Sequence, residues 1–232
     1  MQQRLAAHRQ VTLSPYAIDQ REVSVADYLR CVEAGPCVRP PFARGAVRFA
    51  RPDFPVTHVS WEDARVYCRW RGKRLPTEAE WERAARGLTG RTYPWGDEYN
   101  RRVANHGLLG TGYLRRQSLG LDRVRVSLHE PDARDGYTEL APVGSFPSGR
   151  TPDGIDDLGG NVAEWVSDFY EPRYDMVAVV DPTGPASSRS PWRVIRGGSY
   201  LHAPPWLRAT SRLMASPDER APWIGFRCVK PG

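Results

Sequence analysis

The side chains able to do redox, metal-binding or nucleophilic chemistry in this chain are four cysteines and five histidines among 232 residues. Cys31 and Cys37 lie six positions apart across Gly35-Pro36, a spacing that permits a local disulfide at a helix end. Cys68 and Cys228 are remote in sequence, and reduced thiols remain the alternative for all four. His8, His58, His106, His129 and His202 include no i, i+4 pair, so no helix offers two imidazoles to one metal. An iron site could still be drawn from distant histidines. The bland alternative makes His58 a structural residue and the others surface or loop groups. Trp206 follows Ala203-Pro204-Pro205, which would present its ring rigidly, as a binding hot spot requires, unless it simply packs beneath a loop.

These groups need a scaffold, and the composition bounds it. By length the chain fits one large domain, 1–232, or one and a half small ones, and a chain this size buries roughly 70–75% of its unfolded surface. Hydrophobic content of 40%, with eight Trp and ten Tyr, fits a packed globule rather than a disordered chain. Gly and Pro, at 21 each, imply many turns. Only Lys73 and Lys230 are lysines, so the +6 charge is an arginine skew of the kind a GC-rich genome produces. Arg115-Arg116 and Arg123 to Arg125 are too short, and lie too close to Asp122, to make a nucleic-acid stripe. No apolar run approaches the length of a membrane span, and no n-region/h-region pair opens the sequence, so a secretion signal is expected to be absent or removed.

Three helix starts share one grammar. Ser24, Ser60 and Thr77 precede apolar periodic segments and are followed three residues later by Asp27, Asp63 and Glu80. Only the third is a strict capping box, since the others use Asp. With Gly35, Gly72 and Gly87 as stops, helices are expected near 24–34, 61–71 and 78–86. Strands are expected at 10–13, 16–22, 162–166, 193–197 and 225–229. Residues 88–160 show no useful periodicity and should be fixed by turns, metal or packing.

Six collinear motifs then suggest a family. Val56-Thr57-His58-Val59-Ser60-Trp61-Glu62-Asp63-Ala64 leads to Tyr67-Cys68-Arg69-Trp70-Arg71-Gly72-Lys73-Arg74-Leu75-Pro76-Thr77-Glu78-Ala79-Glu80-Trp81-Glu82. Tyr93-Pro94-Trp95-Gly96-Asp97, Gly160-Asn161-Val162-Ala163-Glu164-Trp165, Arg196-Gly197-Gly198-Ser199-Tyr200 and Gly225-Phe226-Arg227-Cys228 follow. Over about residues 10–230 this resembles the formylglycine-generating enzyme, or sulfatase-modifying factor, family. The resemblance implies an α+β, C-type lectin-like fold with little regular structure, a small twisted antiparallel sheet and two to three short helices.

That family oxidises a target cysteine through two cysteines that hold Cu(I). Their implied positions are His202 and Leu207, and neither supplies sulfur, so no copper and no formylglycine generation are expected. The resemblance also implies one or two Ca²⁺ sites. The first comprises Asn105, His106, Asp135 and Tyr137, and the second Asp157, Gly160, Val162 and Glu164. The alternative leaves Asp135 and Asp157 as turn formers and pairs Glu164 with an arginine. A disulfide between Cys68 and Cys228 is implied in the same way. Together with a Cys31–Cys37 bridge it would favour an exported or periplasmic chain over the bacterial cytoplasm. The absent Gly-rich opening of the family suggests excision from a longer protein.

On this fold the C-terminal segment forms the ligand face, here Tyr200, His202, Trp206, Arg208, Arg212 and Trp223, with Trp192 nearby. Trp61, Trp70, Trp81, Trp95 and Trp165 are expected in the core, and Arg196, Arg208, Arg212 and Arg227 as structural forks. The expected function is a Ca-stabilised, non-catalytic sensor or binding module for a protein, peptide or glycan. One alternative is a metal-dependent oxidoreductase with rebuilt ligands around Ser199, His202 and Arg208. It includes siderophore-maturing oxidases and, less readily, ergothioneine-type sulfoxide synthases, which need a further iron-binding domain. A second alternative is a diversity-generating retroelement variable protein, although residues 199–225 lack the Asn common there.

Overall fold

The computed structural model describes residues 10–41, 47–107, 132–172, 179–188 and 191–232, and its three helices start where the caps place them. Ser24, Ser60 and Thr77 have extended backbones and accept the N–H of Asp27, Asp63 and Glu80, opening α1 (Val25–Glu33), α2 (Trp61–Trp70) and α3 (Glu78–Arg86). The α2 start corrects one expectation. Asp63 returns a carboxylate oxygen to Ser60 N at 2.8 Å, so the shorter acid closes the capping box as fully as Glu80 does at Thr77.

Eight short strands complete the described structure. They are β1 (Val11–Thr12), β2 (Tyr16–Ile18), β3 (Ala163–Phe169), β4 (Val179–Val180), β5 (Arg193–Arg196), β6 (Arg212–Ala215), β7 (Ile224–Gly225) and β8 (Val229–Pro231). The central sheet runs β6-β5-β3-β7, antiparallel except for the parallel β3–β7 pair. Small pairs join β2 with β8 and β1 with β4, the latter parallel.

The sheet is covered on both faces. Successive strand residues point to opposite sides, so Trp165 and Ile195 join one core cluster while Val166 and Val194 join another. The first cluster holds Tyr28 of α1 and Tyr67 of α2, and the second holds Trp81, Ala84 and Ala85 of α3. Trp81 and Trp165 are fully buried. Trp70 is not core: it is 36% exposed and lies beside Arg71.

Two expected strands are shorter than their patterns, for one reason. Residues 19–23 and 226–228 face each other but exchange irregular bonds. Asp19 N donates to Cys228 O, Val23 N to Phe226 O, and Cys228 N to the Asp19 carboxylate. The Arg227 side chain occupies the carbonyls of Asp19 and Gln20, which breaks any regular ladder. Strands β4 and β6 went unforeseen.

Both disulfides are present. Cys31–Cys37 fastens the end of α1, and Cys68–Cys228 ties α2 to the C-terminal segment across a separation of 160 residues. No helix among the described residues is long and apolar enough to cross a membrane.

Candidate functional site

Strand β5 delivers the chain to a turn whose first two residues must be glycine. Gly197 and Gly198 have φ of 87° and 70°. A Cβ on Gly197 would sit 3.1 Å from both Leu158 O and Trp81, and one on Gly198 3.1 Å from Trp206 O. Such close approach places Ser199 and His202 inside the protein. Ser199 Oγ and His202 Nδ1 are 2.6 Å apart, Leu201 N donates to the same hydroxyl, and Gly107 N donates to His202 O. The His202 ring meets Trp223 edge-on at 5.2 Å.

Of the expected ligand face, Tyr200, His202 and Trp223 are 3, 0 and 2% exposed, and the groove residue Leu207 is 0% exposed. Desolvation raises the Tyr200 phenol further above its usual range. Arg212 grips both oxygens of Glu78 at 2.6 and 2.8 Å and donates to Glu171 O, a structural assignment. Trp192 is buried. Of the proposed face Trp206, Arg208 and Arg212 keep partial exposure. The Trp223 indole nitrogen is buried with no hydrogen-bond partner among the described residues.

Arg196 and Arg227, like Arg212, act as the structural forks expected of them. Arg196, fully buried, donates to Glu82 and to the carbonyls of Ala209 and Ser211. Arg227, equally buried, holds both oxygens of Glu164 and the Asp156 carbonyl. His58, half-buried, has left-handed backbone, with its imidazole pKa lowered by desolvation and then by Arg48. His8 and His129 lie outside the described residues, as do Arg115, Arg116 and Arg123 to Arg125.

The four residues of the first cation set come together. Asp135 accepts from Tyr137 N at 2.9 Å and His106 N at 3.3 Å, and Asn105 Nδ2 donates to Glu139 O. Burial raises the Asp135 pKa. Of the second set, Asp157, Gly160 and Val162 lie on the turn that leads into β3, which carries Glu164, beside an acid that the sequence did not single out. Glu22, 3% exposed, accepts from Asn161 Nδ2 at 2.7 Å and Val162 N at 3.2 Å. Its pKa is pushed well up by burial, then by Asp157 and Glu164. Asp157 accepts from Gly144 N at 2.6 Å, and burial pushes it up to about 6. Glu164 is committed to Arg227 and to the Trp81 indole. Among the described residues, no three His, Cys, Asp or Glu side chains are grouped to hold a metal by themselves.

Asn161 is the other residue that sequence reasoning missed. In left-handed backbone, its side chain joins Glu22, Asn105 and Ala141, and its carbonyl accepts from Tyr200 N. Its place in the Gly160-Asn161-Val162 motif was the available signal. Asn161 thus joins Asn105 and Glu22 through its carboxamide and the turn that carries His202 through its backbone carbonyl.

Comparison with known proteins follows this geometry. The profile of the sulfatase-modifying factor enzyme 1-like domain matches residues 1–231. A formylglycine-generating enzyme of Streptomyces coelicolor is 43% identical over 197 residues, 82% of this chain and 57% of that protein. An inactive C-alpha-formylglycine-generating enzyme 2 of Bos taurus is 36% identical over 197 residues, 82% of this chain and 55% of that protein. The chain spans about half the length of these curated relatives. Among solved structures, Treponema denticola variable protein 1 superposes with a TM-score of 0.72 at 22% identity, covering 97% of this chain and 87% of that one. PvdO from Pseudomonas aeruginosa gives 0.62 at 24% identity, with 94% and 80% covered. The fold is that shared C-type lectin-like architecture.

Proposed function

Because this chain belongs to the sulfatase-modifying factor enzyme 1-like family, we propose that it is a non-catalytic member, a binding module whose loops are pinned by calcium. The observation that carries this reading is the state of its sulfur. All four cysteines are consumed in the two disulfides, and the positions implied for the catalytic pair hold buried His202 and Leu207. A linear Cu(I) thiolate site needs two soft sulfur ligands, and this donor set does not fit one. Identity alone does not divide the possibilities, since proteins named as active and as inactive are similarly related to the chain.

Calcium is supported by charge. Glu22, Asp157 and Glu164 crowd together, and Arg227 is the fixed cation among them. Burying two uncompensated carboxylates is costly, and a hard divalent cation relieves it. Asp157 with the Gly160 and Val162 carbonyls would hold it, and Glu164 would have to share itself with Arg227. Asp135 with backbone oxygens of the 105–106 and 137 positions would hold the other. The two disulfides favour an oxidising compartment.

A protein, peptide or glycan is the partner class of this reading. The rebuilt-oxidoreductase reading keeps one specific observation, the enclosed Ser199–His202 pair beside the Trp223 indole. Incubating the purified chain with Cu(I), O₂ and a cysteine-bearing peptide decides between them. The peptide mass should be unchanged after many hours. Conversion of the cysteine to an aldehyde would overturn the non-catalytic reading.

A further inference from the structure

A cleft of about 610 Å³ opens between α2, the β1–β2 connection and residues 181–183, and none of residues 199–208 lines it. Its apolar lining includes Leu13, Pro15, Trp61 and Leu75. Its charged lining is Arg65, Arg69, Lys73 and Arg74 against Glu80 and Asp181.

Both acids are already engaged by groups of the protein. Glu80 takes both ends of Arg74 and the Thr77 N–H. Asp181 takes the Ser14 N–H and hydroxyl at 2.6 and 2.7 Å. Arg65 is held by both oxygens of Glu62 at 2.6 and 2.7 Å, but that side chain is 55% exposed and does not line the cleft. Lys73 pairs with Asp19, also outside it. Solvent screening limits the Arg65–Glu62 pair to about 1 kcal/mol, so a ligand carboxylate can share Arg65 at little cost, whereas Lys73 and Asp19, 25 and 26% exposed, are not an exposed pair of that kind. Arg69 is exposed and makes no ion pair or hydrogen bond at contact distance among the described residues; it acts on Glu62 only at longer range. The cleft therefore offers cations and donors above an apolar floor.

Spacing narrows the ligand further. Arg65 and Arg69 stand one helical turn apart on α2, about 6 Å along its axis. Alternate side chains of an extended chain repeat every ~6.6 Å and point to one side, while the intervening ones point to the other. We propose that this cleft binds an extended acidic peptide segment of a partner protein. Alternating carboxylates meet Arg65 and Arg69 on α2, and the apolar side chains between them lie on Leu13 and Pro15 of the β1–β2 connection. The assignment goes beyond the reading above and holds whether or not the chain is catalytic.

The test is fluorescence anisotropy at low salt with a labelled, end-blocked peptide of alternating Glu and Val, beside its Lys–Val counterpart. The native chain should bind the acidic peptide and not the basic one. Arg69→Glu should weaken binding about tenfold or more, and Arg101→Glu, an exposed arginine outside the cleft, should not. Thermal melts establish that each variant is folded, with Arg69→Ala as the milder substitute. No binding by the native chain overturns the proposal. So does equal binding of the Lys–Val peptide, or equal loss in Arg69→Glu and Arg101→Glu, which marks diffuse attraction to a basic protein.

Discussion

Glu164 and Arg227 face each other as a bidentate pair at 2.7 and 2.8 Å, 1% and 0% exposed, joining β3 to the segment between β7 and β8. Around them stand Glu22 and Asp157, so Arg227 is the cation that makes this interior tolerable. Arg227→Ala should destabilise the fold by about 3–5 kcal/mol, because it strands buried carboxylates. Removing Glu164 in the same chain should recover part of that loss, which a double-mutant cycle in urea reads directly. A cost below about 1 kcal/mol for Arg227→Ala would contradict the pairing.

Calcium should act on the same region. Adding millimolar Ca²⁺ to chelator-treated protein should raise Tm, since a ligand at 100 times its Kd stabilises by about 2.7 kcal/mol. Asp157→Ala should remove a large share of that shift. A melting curve indifferent to Ca²⁺ and chelator would remove calcium from the account.

Acid titration offers an independent check at Asp168. This carboxylate accepts from Glu78 N at the start of α3 and is 5% exposed. Burial pushes it up to about 6, with Glu78 adding to the rise and the Glu78 and Ser167 bonds opposing it. A raised folded pKa means the native state holds the proton more tightly than the unfolded chain, whose value is about 3.9. This group's contribution therefore falls as pH rises from about 4 to about 6, by up to about 1.4 kcal/mol per pH unit, and is flat above that. Subtracting the Asp168→Asn profile from the native one should reveal that slope. A difference rising with pH would contradict it.

The two disulfides should differ in weight. In the chain-entropy view, Cys68–Cys228 constrains a 160-residue separation and is worth about 4–5 kcal/mol, whereas the short Cys31–Cys37 loop is worth about 2 kcal/mol. Paired Cys→Ser variants at each bridge, compared by urea unfolding, should rank in that order.

Much of this fold was legible because local chemistry decided it. Ser24, Ser60 and Thr77 fix three helix starts through hydrogen bonds reaching only three residues. The strands were legible only where apolar alternation met a regular partner. Residues 226–228 look like strand, yet Arg227 spends its guanidinium on the carbonyls of Asp19, Gln20 and Asp156, a contact no periodicity announces. Glu22 and Asn161 escaped notice for the same reason: their partners lie about 140 residues apart in sequence. Depth was illegible for a different one. Tyr200, His202 and Trp223 have the residue types of a binding surface, yet all three are buried, the first two just after the close turn at Gly197-Gly198.

The central claim is that this chain has lost the family's metal chemistry, and Cu(I) reconstitution with oxygen uptake tests it most directly. The chain is loaded anaerobically with Cu(I), washed, then exposed to O₂ beside a cysteine-containing peptide. The account predicts no stoichiometric copper and no substrate-dependent oxygen consumption. One tightly held copper per chain with peptide-dependent uptake, both abolished by His202→Ala, would contradict it and make this an oxidase with a rebuilt site.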